Sequence, residues 1–543
     1  MIARSTPPIR RLLRSRSRSS SIATALFVAA LSACSSPPPH KPAARPIPAR
    51  VAPPAREKPP TEPAREEPPA SGPTRDLRFP APATAELPNG VKLMTVPDRT
   101  LPVLQIRLAI LAGGAGDGDR PGLASLTAEL VKESGTPGLS SRDTFARIES
   151  LGATLSMDVT AGVTSFGLAV TKDQLAEALD LLGSMVLKSP LSQAQFDRLK
   201  KQHTEQASAR AKEDGDWAAE LVLYRDLFAM PADTHPYATR SATAEDVAKI
   251  TATDCRTFFA RHYVPRAALL VVTGDTTPED VKRAADKALG GYRGGEPPAI
   301  SFTDPNPQAA RKITVLDRPK SAQSQIYAGV LGPRPTDASW AAFEVSAAVL
   351  GRPFTGRLAR DLRDKRGLAY LTYAGTEMLA EGPSVFYAYA ATKTESTGLA
   401  LEAVLKHLER AATEEPDAGE VETATTNLAV MMAVRLGRPG YLADRLVMLR
   451  ELGLPDDHMS AHARELREVT PGAALKAASE SIRPGHEVIV AAGDAQVIAP
   501  MLSRFGEVKV LDPTQNFSRV RTLPRNPSTG AALSGEAPKE PSK

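Results

Sequence analysis

Two stretches of this sequence share one pattern, an apolar run that ends in Gly-Asp: Leu269-Leu-Val-Val-Thr-Gly-Asp275 and Val488-Ile-Val-Ala-Ala-Gly-Asp494. The second stretch follows the first at an offset of 219 positions. The matches continue upstream at this offset without a gap, in residues 247–251 with 466–470 and in residues 263–265 with 482–484. Similarity at one constant offset is the signature of an internal repeat. The sequence therefore predicts one structural unit that has been duplicated.

Each copy of the repeat mixes strand and helix patterns. Apolar residues alternate from Leu104 to Ile110, as in a strand with one buried face. Apolar residues then recur at helical spacing between 175 and 186, and again between 401 and 408 in the second copy. Asn89-Gly90 indicates a tight hairpin turn, because both residues tolerate a positive φ. Strands followed by long helices, twice over, predict an α+β fold built from two homologous α/β domains.

Proline-rich segments mark the boundaries of the two domains. The chain contains 48 prolines, and many of them lie in residues 34–82, where few apolar side chains are available to bury. We therefore expect a disordered spacer at 34–82 and domains at 83–296 and 310–515, joined by a linker at 297–309. The polar end of the chain, residues 516–543, predicts a disordered tail.

The first 33 residues have the features of an export signal. They contain six arginines and no Lys, Asp or Glu, and they include an apolar run from 22 to 31. That run is too short to span a bilayer as a stable anchor. The whole chain carries a formal charge of +5, but without these arginines it has 61 basic and 62 acidic residues. The basic charge thus belongs to the predicted signal, and the rest of the chain offers no electrostatic case for binding nucleic acid.

Leu31-Ser-Ala-Cys34 resembles the lipobox of bacterial lipoproteins, in which the cysteine becomes the first residue and carries lipid. Acyl chains buried in a bilayer contribute about 0.8 kcal/mol per CH₂ and hold a soluble domain at the membrane surface. The resemblance implies lipid attachment at Cys34 and a periplasm-facing lipoprotein of the bacterial cell envelope. Ser35 is compatible with sorting to the outer membrane. A plain signal peptide with an incidental cysteine is the alternative.

The second copy contains two glycine-bearing motifs, Leu350-Gly-Arg-Pro-Phe-Thr-Gly-Arg-Leu358 and Leu362-Arg-Asp-Lys-Arg-Gly-Leu-Ala-Tyr370. They resemble the C-terminal domain of M16 peptidases, the pitrilysin or insulinase-like family, which typically carries an Arg-x₆-Tyr element ending in Gly-Leu-Ala-Tyr. Three motifs of the first copy resemble the N-terminal domain of the same family: Leu87-Pro-Asn-Gly90, Gly122-Leu-Ala124 and Ser134-Gly-Thr136. The resemblance covers residues 83–515, and duplication is itself a trait of that family.

The catalytic motif of the family is an inverted zinc site, H-x-x-E-H, directly after Gly-Leu-Ala. In this chain Ser125 replaces the first ligand, Ala128 replaces the base and Glu129 replaces the second ligand. A neutral serine is a poor zinc ligand, and alanine cannot take a proton. The third ligand of the family, a glutamate on a later helix, has Glu205 as its counterpart here, in an unsettled register. We therefore expect no metal site and no cofactor in this chain.

The Arg-x₆-Tyr element is present as Arg363 and Tyr370. The resemblance implies that these residues support the substrate and the developing oxyanion over the zinc, a role suited to hydrogen-bond donors. Some relatives divide the work between two chains, one with the zinc motif and one without, and this chain resembles the second kind. The implied partner is a zinc-bearing M16 subunit, and the implied substrate is a peptide or unfolded protein. An arginine and a tyrosine seven positions apart are also compatible with an ordinary ion pair and a packed aromatic residue.

Other candidate residues have simpler explanations. His458 and His462 stand at i and i+4, a spacing that can hold a metal on a helix, but no glutamate base lies beside them. We expect solvated loop histidines at these two positions. His203 and the remaining histidines stand alone, so we expect them to be structural. Cys255 lies at helical spacing from nearby phenylalanines, which predicts a buried free thiol rather than a nucleophile.

Three functions remain open on these grounds. The first is a membrane-tethered subunit without a zinc motif, which pairs with a zinc-bearing partner and helps to bind or orient peptide through Arg363 and Tyr370. The second is a peptide-binding or scaffolding lipoprotein with no catalytic role. The third is an active metallopeptidase with an unconventional site, for instance Glu129 with Glu205 and a distant histidine. We favour the first because the Arg-x₆-Tyr element is kept while the zinc motif is lost.

Overall fold

The computed structural model describes residues 79–230, 235–239, 241–300 and 303–527. These residues belong to one compact unit, which contains two mixed β-sheets. The predicted signal, Cys34 and nearly all of the predicted spacer lie outside the described residues. Within the described ranges, no helix is both long and apolar enough to cross a membrane.

The first half of the chain forms a six-stranded sheet with its helices. Its strands are β1 (Ala83–Glu86), β2 (Lys92–Pro97), β3 (Val103–Ile110), β4 (Ser156–Val159), β5 (Thr164–Thr171) and β6 (Ala268–Gly274). Its helices are α1 (Leu123–Glu133), α2 (Ser141–Ser150), α3 (Leu175–Leu187), α4 (Gln193–Glu213), α5 (Gly215–Leu227), α6 (Ala244–Lys249), α7 (Ala252–His262) and α8 (Pro278–Leu289). The strand order is β1-β2-β6-β3-β5-β4. The predicted strand at 104–110 and helix at 175–186 are confirmed as β3 and α3.

The second half forms a seven-stranded sheet. Its strands are β7 (Lys312–Asp317), β8 (Gln323–Gly332), β9 (Ala369–Glu377), β10 (Ser384–Lys393), β11 (Val488–Gly493), β12 (Val508–Asp512) and β13 (Ser518–Leu523). Its α-helices are α9 (Trp340–Gly351), α10 (Thr397–Thr413), α11 (Ala418–Leu436), α12 (Tyr441–Glu451), α13 (His458–Glu468), α14 (Pro471–Ser481) and α15 (Ala495–Leu502), and Ala359–Lys365 is π-helical. The strand order is β13-β12-β7-β11-β8-β10-β9.

The two sheets share the topology expected of a duplication. β6 and β11 occupy the same place in their sheets, each parallel to one neighbour, β2 or β7, and antiparallel to the other, β3 or β8. The helices α7 and α14 begin and end at the offset of 219 positions seen in the sequence. The prediction of an α+β fold with two homologous α/β domains is therefore confirmed.

Each half also contributes one helix to the sheet of the other half. The first-half helix α5 packs on the second sheet, where Leu221 lies in one apolar cluster with Tyr327 and Val490. The second-half helix α12 packs on the first sheet, where Leu446 joins a cluster with Met94. The opposite face of each sheet is covered by helices of its own half. Because burying apolar surface drives folding, each half needs the other to complete its core.

The two halves meet at a half-buried glutamate. Glu451, at the end of α12, accepts hydrogen bonds from the hydroxyl of Thr160 at 2.5 Å and from the backbone N–H of Gly162 at 3.1 Å. Both residues belong to the loop between β4 and β5. Burial raises the pKa of Glu451 to about 7, and the nearby charges of Asp158 and Glu377 act in the same direction.

This carboxylate makes stability depend on pH. We expect the free energy of unfolding to fall as the pH rises from 4.5, the ordinary glutamate value, to about 7. The folded protein binds the proton of Glu451 more tightly than the unfolded chain does. The contribution of Glu451 to the free energy of unfolding is therefore complete below pH 4.5 and lost above about pH 7. The difference between the two pKa values corresponds to a loss of roughly 3 kcal/mol in the free energy of unfolding. Urea unfolding over this pH range measures it.

The matched variant for that measurement is Glu451→Gln, which keeps the shape of the side chain and cannot ionise. Its stability should fall less steeply with pH than that of the natural chain. Some slope should remain, because burial also raises the pKa of Asp117 to about 7. An unchanged slope in Glu451→Gln would show that Glu451 is not the titrating group.

Composition misplaced both ends of the folded region. The predicted disordered tail is wrong for β13, which pairs antiparallel with β12 and whose Leu523 packs against the second core. Phe79, in the predicted spacer, donates its backbone N–H to Oγ of Ser460 at 3.1 Å and packs on an apolar cluster. The described residues of the predicted linker at 297–309 form neither helix nor strand. Pairing with another element satisfies backbone groups in a way that composition does not reveal.

Candidate functional site

The residues that stand in place of the zinc motif lie on α1. The carboxylate of Asp117 caps this helix by accepting two backbone N–H groups, each at 2.7 Å. Ser125 is exposed and Glu129 is half-buried, and residues four apart share one face of a helix. Ala128 is fully buried in the first-half core. The helix is therefore kept, while the side chains it presents have changed.

Glu129 is paired with a histidine from another helix. Its Oε2 lies 2.9 Å from Nε2 of His203 on α4. The hydrogen bond with His203 holds the pKa of Glu129 below its ordinary value, although burial acts in the opposite direction. The two side chains are 31% and 18% exposed, so water screens their attraction in part. The pair joins α1 to α4 where the resemblance placed the metal ligands.

His203, and not Glu205, is the residue of α4 that faces this site. Glu205 is exposed. Residues two apart on an α-helix are separated by about 200° around the helix axis, so their side chains lie on nearly opposite faces. Only one of His203 and Glu205 can therefore face α1. The expectation that His203 stands alone is therefore wrong. Testing each residue within one turn of Glu205 against α1 would have found it, whereas spacing along the chain could not.

These side chains do not fit zinc. A structural or catalytic zinc site needs at least three protein ligands, usually Cys, His, Asp or Glu. Here one carboxylate and one imidazole are bonded to each other, and Ser125 offers a neutral hydroxyl. Among the described residues, no group of three or more His, Cys, Asp and Glu side chains lies close enough to hold a metal ion.

The double variant Glu129→His, His203→Glu is expected to recover most of the stability that either single substitution removes. Glu129→His puts two imidazoles together and His203→Glu puts two carboxylates together, so each should cost about 1 kcal/mol. The double variant restores a carboxylate and an imidazole at the same positions. Urea unfolding of the natural chain, the two single variants and the double variant gives the coupling energy between the two residues. Additive losses in the double variant would contradict a direct pair.

The π-helical segment that carries Arg363 is firmly anchored. Leu358 and Leu362 are buried in the second-half core. Asp361 lies 3.0 Å from Nε2 of His407 on α10. π-Helical turns occur often at functional sites. The segment is thus a rigid base from which Arg363 projects.

Arg363 itself makes surface contacts. Its Nε donates to Asp364 at 2.8 Å, and its Nη1 donates to the carbonyl of Pro353 at 3.4 Å. Its guanidinium lies 5.2 Å from the centre of the Phe354 ring. Sequence reasoning did not select Phe354, because an aromatic residue between two glycines gives no sign of whether it will be buried.

Tyr370 projects from the edge of the second sheet. Ala369 pairs with Thr392 and Leu371 pairs with Ala391, so Tyr370 is the extra residue of a β-bulge in β9. Bulges re-aim side chains, and Tyr370 remains 60% exposed. The π-helical segment packs against β9, which places Arg363 at the same edge. In the described part of the chain, no hydrogen bond joins the two side chains.

The histidines at 458 and 462 lie on α13, so the expectation of solvated loop histidines is wrong. Nε2 of His462 lies 2.5 Å from Oε2 of Glu344 on α9, and the two side chains are only 8% and 7% exposed. Burial disfavours a charge on His462, but the hydrogen bond and charge of Glu344 outweigh it and raise the pKa of His462. The His458 and His462 rings stack 5.4 Å apart. This pattern thus serves a buried ion pair between helices.

Cys255 is a buried free thiol on α7, which confirms that prediction. Burial raises the pKa of the thiol to about 11. At neutral pH such a thiol is almost entirely protonated, and the thiolate is the nucleophilic form. Cys255 is therefore a packing residue.

Both halves resemble known proteins of one kind. Residues 93–235 match the family model described as insulinase (peptidase family M16), and residues 249–428 match the model described as peptidase M16 inactive domain. An uncharacterized zinc protease of Streptomyces coelicolor is 24% identical over 368 residues, 66% of this chain and 78% of the relative. The non-peptidase homolog YmxG of Helicobacter pylori is 26% identical over 322 residues, 58% of this chain and 72% of the relative.

Solved structures agree with the fold described above. A peptidase M16 inactive domain from Pseudomonas fluorescens superposes with a TM-score of 0.69 at 25% identity, covering 76% of this chain and 97% of that one. A protease from Helicobacter pylori has the same TM-score at 18% identity, covering 76% and 99%, and supports the fold alone. The two family models together cover more than half of the sequence, and the second model begins in the last part of the first half and continues into the second. The chain therefore belongs to the M16 peptidase family.

Proposed function

We propose that this chain is a zinc-motif-less M16 subunit that pairs with a zinc-bearing partner and helps to bind or orient peptide. One observation carries the proposal: the ligand positions on α1 and α4 hold the bonded Glu129–His203 pair, while Arg363 and Tyr370 stay accessible at a sheet edge. A chain that has lost its metal ligands but keeps these donors can still assist chemistry at a neighbouring metal.

The names of the relatives point the same way. The model that matches residues 249–428 is described as an inactive domain, and one relative is named a non-peptidase homolog. Other relatives are named zinc proteases. A family that contains both kinds of chain supports the division of work between an active and an inactive subunit.

Free sheet edges support peptide binding. β4 pairs only with β5, and β9 pairs only with β10, so within the described residues each forms the open edge of its sheet. α1 packs against β4, and Tyr370 lies in β9. An extended peptide can add to such an edge through main-chain hydrogen bonds. The altered zinc-motif positions on α1 thus lie next to the open edge of β4, and the retained Tyr370 lies at the open edge of β9.

We further propose that a lipid on Cys34 tethers this subunit to the bacterial envelope, facing the periplasm. The Arg-rich start, the short apolar run and Leu31-Ser-Ala-Cys34 support this address. Labelling with a clickable palmitate analogue should mark the natural chain and not Cys34→Ser. Equal labelling of both would reject the tether.

The experiment that tests the function is reconstitution with an H-x-x-E-H homologue from the same genome. We expect the purified chain alone to hold no stoichiometric zinc and to cleave no unstructured fluorogenic peptide. Mixing it with the partner should produce cleavage above that of the partner alone. Stoichiometric zinc with chelator-sensitive cleavage by the chain alone would favour an active peptidase. Peptide binding without any gain from a partner would favour a scaffold.

A further inference from the structure

Two aromatic side chains near Arg363 are left on the surface. Of the large hydrophobic side chains that stay exposed in the described residues, two are aromatic: Phe354, 74% exposed, and Tyr370. They flank the π-helical segment, one in the loop before it and one in β9 after it. Exposed aromatic residues of this kind are enriched in binding surfaces, because burying a ring on binding gains much free energy for little lost entropy.

The Phe354 ring stands on a preformed loop. Pro353 fixes one backbone angle, and Gly356 closes the turn so tightly that a Cβ there would lie 2.4 Å from the backbone nitrogen of Arg352. The Arg363 guanidinium covers one side of the ring. A ring held in place before binding gives up less conformational entropy when a ligand arrives.

The same loop and segment are strongly basic. Residues 352–366 contain six Lys or Arg side chains and two Asp side chains. Both carboxylates are engaged, Asp361 with His407 and Arg366, and Asp364 with Arg363, while Arg357 is paired with Glu420 of α11. Arg352 is half-buried and makes no side-chain hydrogen bond or ion pair with the described residues. A carboxylate on a ligand would be attracted to this surface.

We infer that Phe354 and Tyr370, together with Arg352 and Arg363, form a platform that selects extended peptides carrying a large apolar side chain beside a carboxylate. The inference rests on the proposed function, and it names the class of peptide that this site takes. The open edge of β9 supplies backbone hydrogen bonds, the two rings contact the apolar side chain, and the arginines contact the carboxylate.

Peptide binding to the full chain, followed by fluorescence polarisation, tests the platform. The probe is a labelled unstructured decapeptide with a central Phe-Glu, with Phe→Ala and Glu→Gln versions as matched ligands. Phe354→Ala should weaken binding of the Phe-Glu peptide about tenfold, a loss of roughly 1.4 kcal/mol, and should hardly affect the Ala-Glu peptide. Arg352→Gln should reduce the preference for Glu over Gln several-fold, and an unchanged preference would remove Arg352 from the platform.

The controls separate this inference from the proposed function. Phe354→Tyr should bind like the natural chain, as should Leu101→Ala, which truncates a 62% exposed side chain of the first half. Equal binding of all peptides by the natural chain, or no effect of Phe354→Ala, would overturn the platform even if partner-dependent cleavage is found. Selective, Phe354-dependent binding without any partner-dependent cleavage would uphold the platform and reject the proposed function.

Discussion

Arg363→Ala should slow partner-dependent peptide cleavage by roughly 10²-fold, and Tyr370→Phe by a similar factor, since under the proposed function each removes one donor to the developing oxyanion. The loss should fall mainly on kcat, because these hydrogen bonds strengthen in the transition state. The variant with both changes should lose less than the product of the two factors, because both donors serve one transition state. Steady-state kinetics of the reconstituted pair measures all three.

The fold should survive these changes, which makes the kinetics interpretable. Arg363 makes surface contacts with Asp364 and Phe354, and removing the Tyr370 hydroxyl leaves the ring in place. Arg519, exposed on β13 at the opposite edge of the same sheet, is the matched control, and Arg519→Ala should leave kcat unchanged. Full activity in both Arg363→Ala and Tyr370→Phe would reject their role.

The largest effect on stability is expected at the buried ion pair between α9 and α13. His462→Ala should lower the free energy of unfolding by about 3–5 kcal/mol, because breaking a buried pair leaves its charge poorly solvated. Glu344 is 7% exposed, so little water reaches the oxygen that bonds His462. Because α9 leads into the loop that carries Phe354, peptide binding should weaken as well. Urea unfolding provides the measurement.

A double variant distinguishes the ion pair from simple packing. Replacing both Glu344 and His462 with leucine should recover much of the stability lost in His462→Leu alone, since an apolar pair of similar volume needs no solvation. His458→Ala, which removes the stacked neighbour, should cost about 1 kcal/mol, a common value for a single substitution. A double leucine variant less stable than His462→Leu would show that the charges are not coupled.

The fold was largely predictable because its evidence is local. The apolar runs that end at Gly274 and Gly493 are central strands. Such runs can be recognised from neighbouring residues alone. The edges were not predictable: β13 has exposed side chains and a polar sequence, and its backbone pairing with β12 alone makes it a strand. The exchange of α5 and α12 between the sheets is likewise invisible in spacing, since the buried residues of each helix do not specify which sheet they pack against.

The candidate site was predictable only in part. Ser125, Ala128 and Glu129 could be identified because a motif at fixed spacing shows what has been replaced. The histidine opposite Glu129 could not, because it is separated from it by 74 positions and lies beside a more suggestive glutamate. The histidines at 458 and 462 were misjudged for a related reason, since Glu344, the partner of His462, precedes it by more than a hundred residues.

By itself the sequence determined the duplication, the loss of the zinc motif and the presence of Arg363 and Tyr370, because each depends on residue identity at short spacing. The tertiary structure alone decided which groups meet: the histidine that pairs with Glu129, the carboxylate that pairs with His462, and the exposed ring of Phe354 beneath a guanidinium. The two histidine–carboxylate contacts join residues 74 and 118 positions apart in the chain. Their geometry follows from how buried apolar surfaces pack, and that packing is a property of the whole fold.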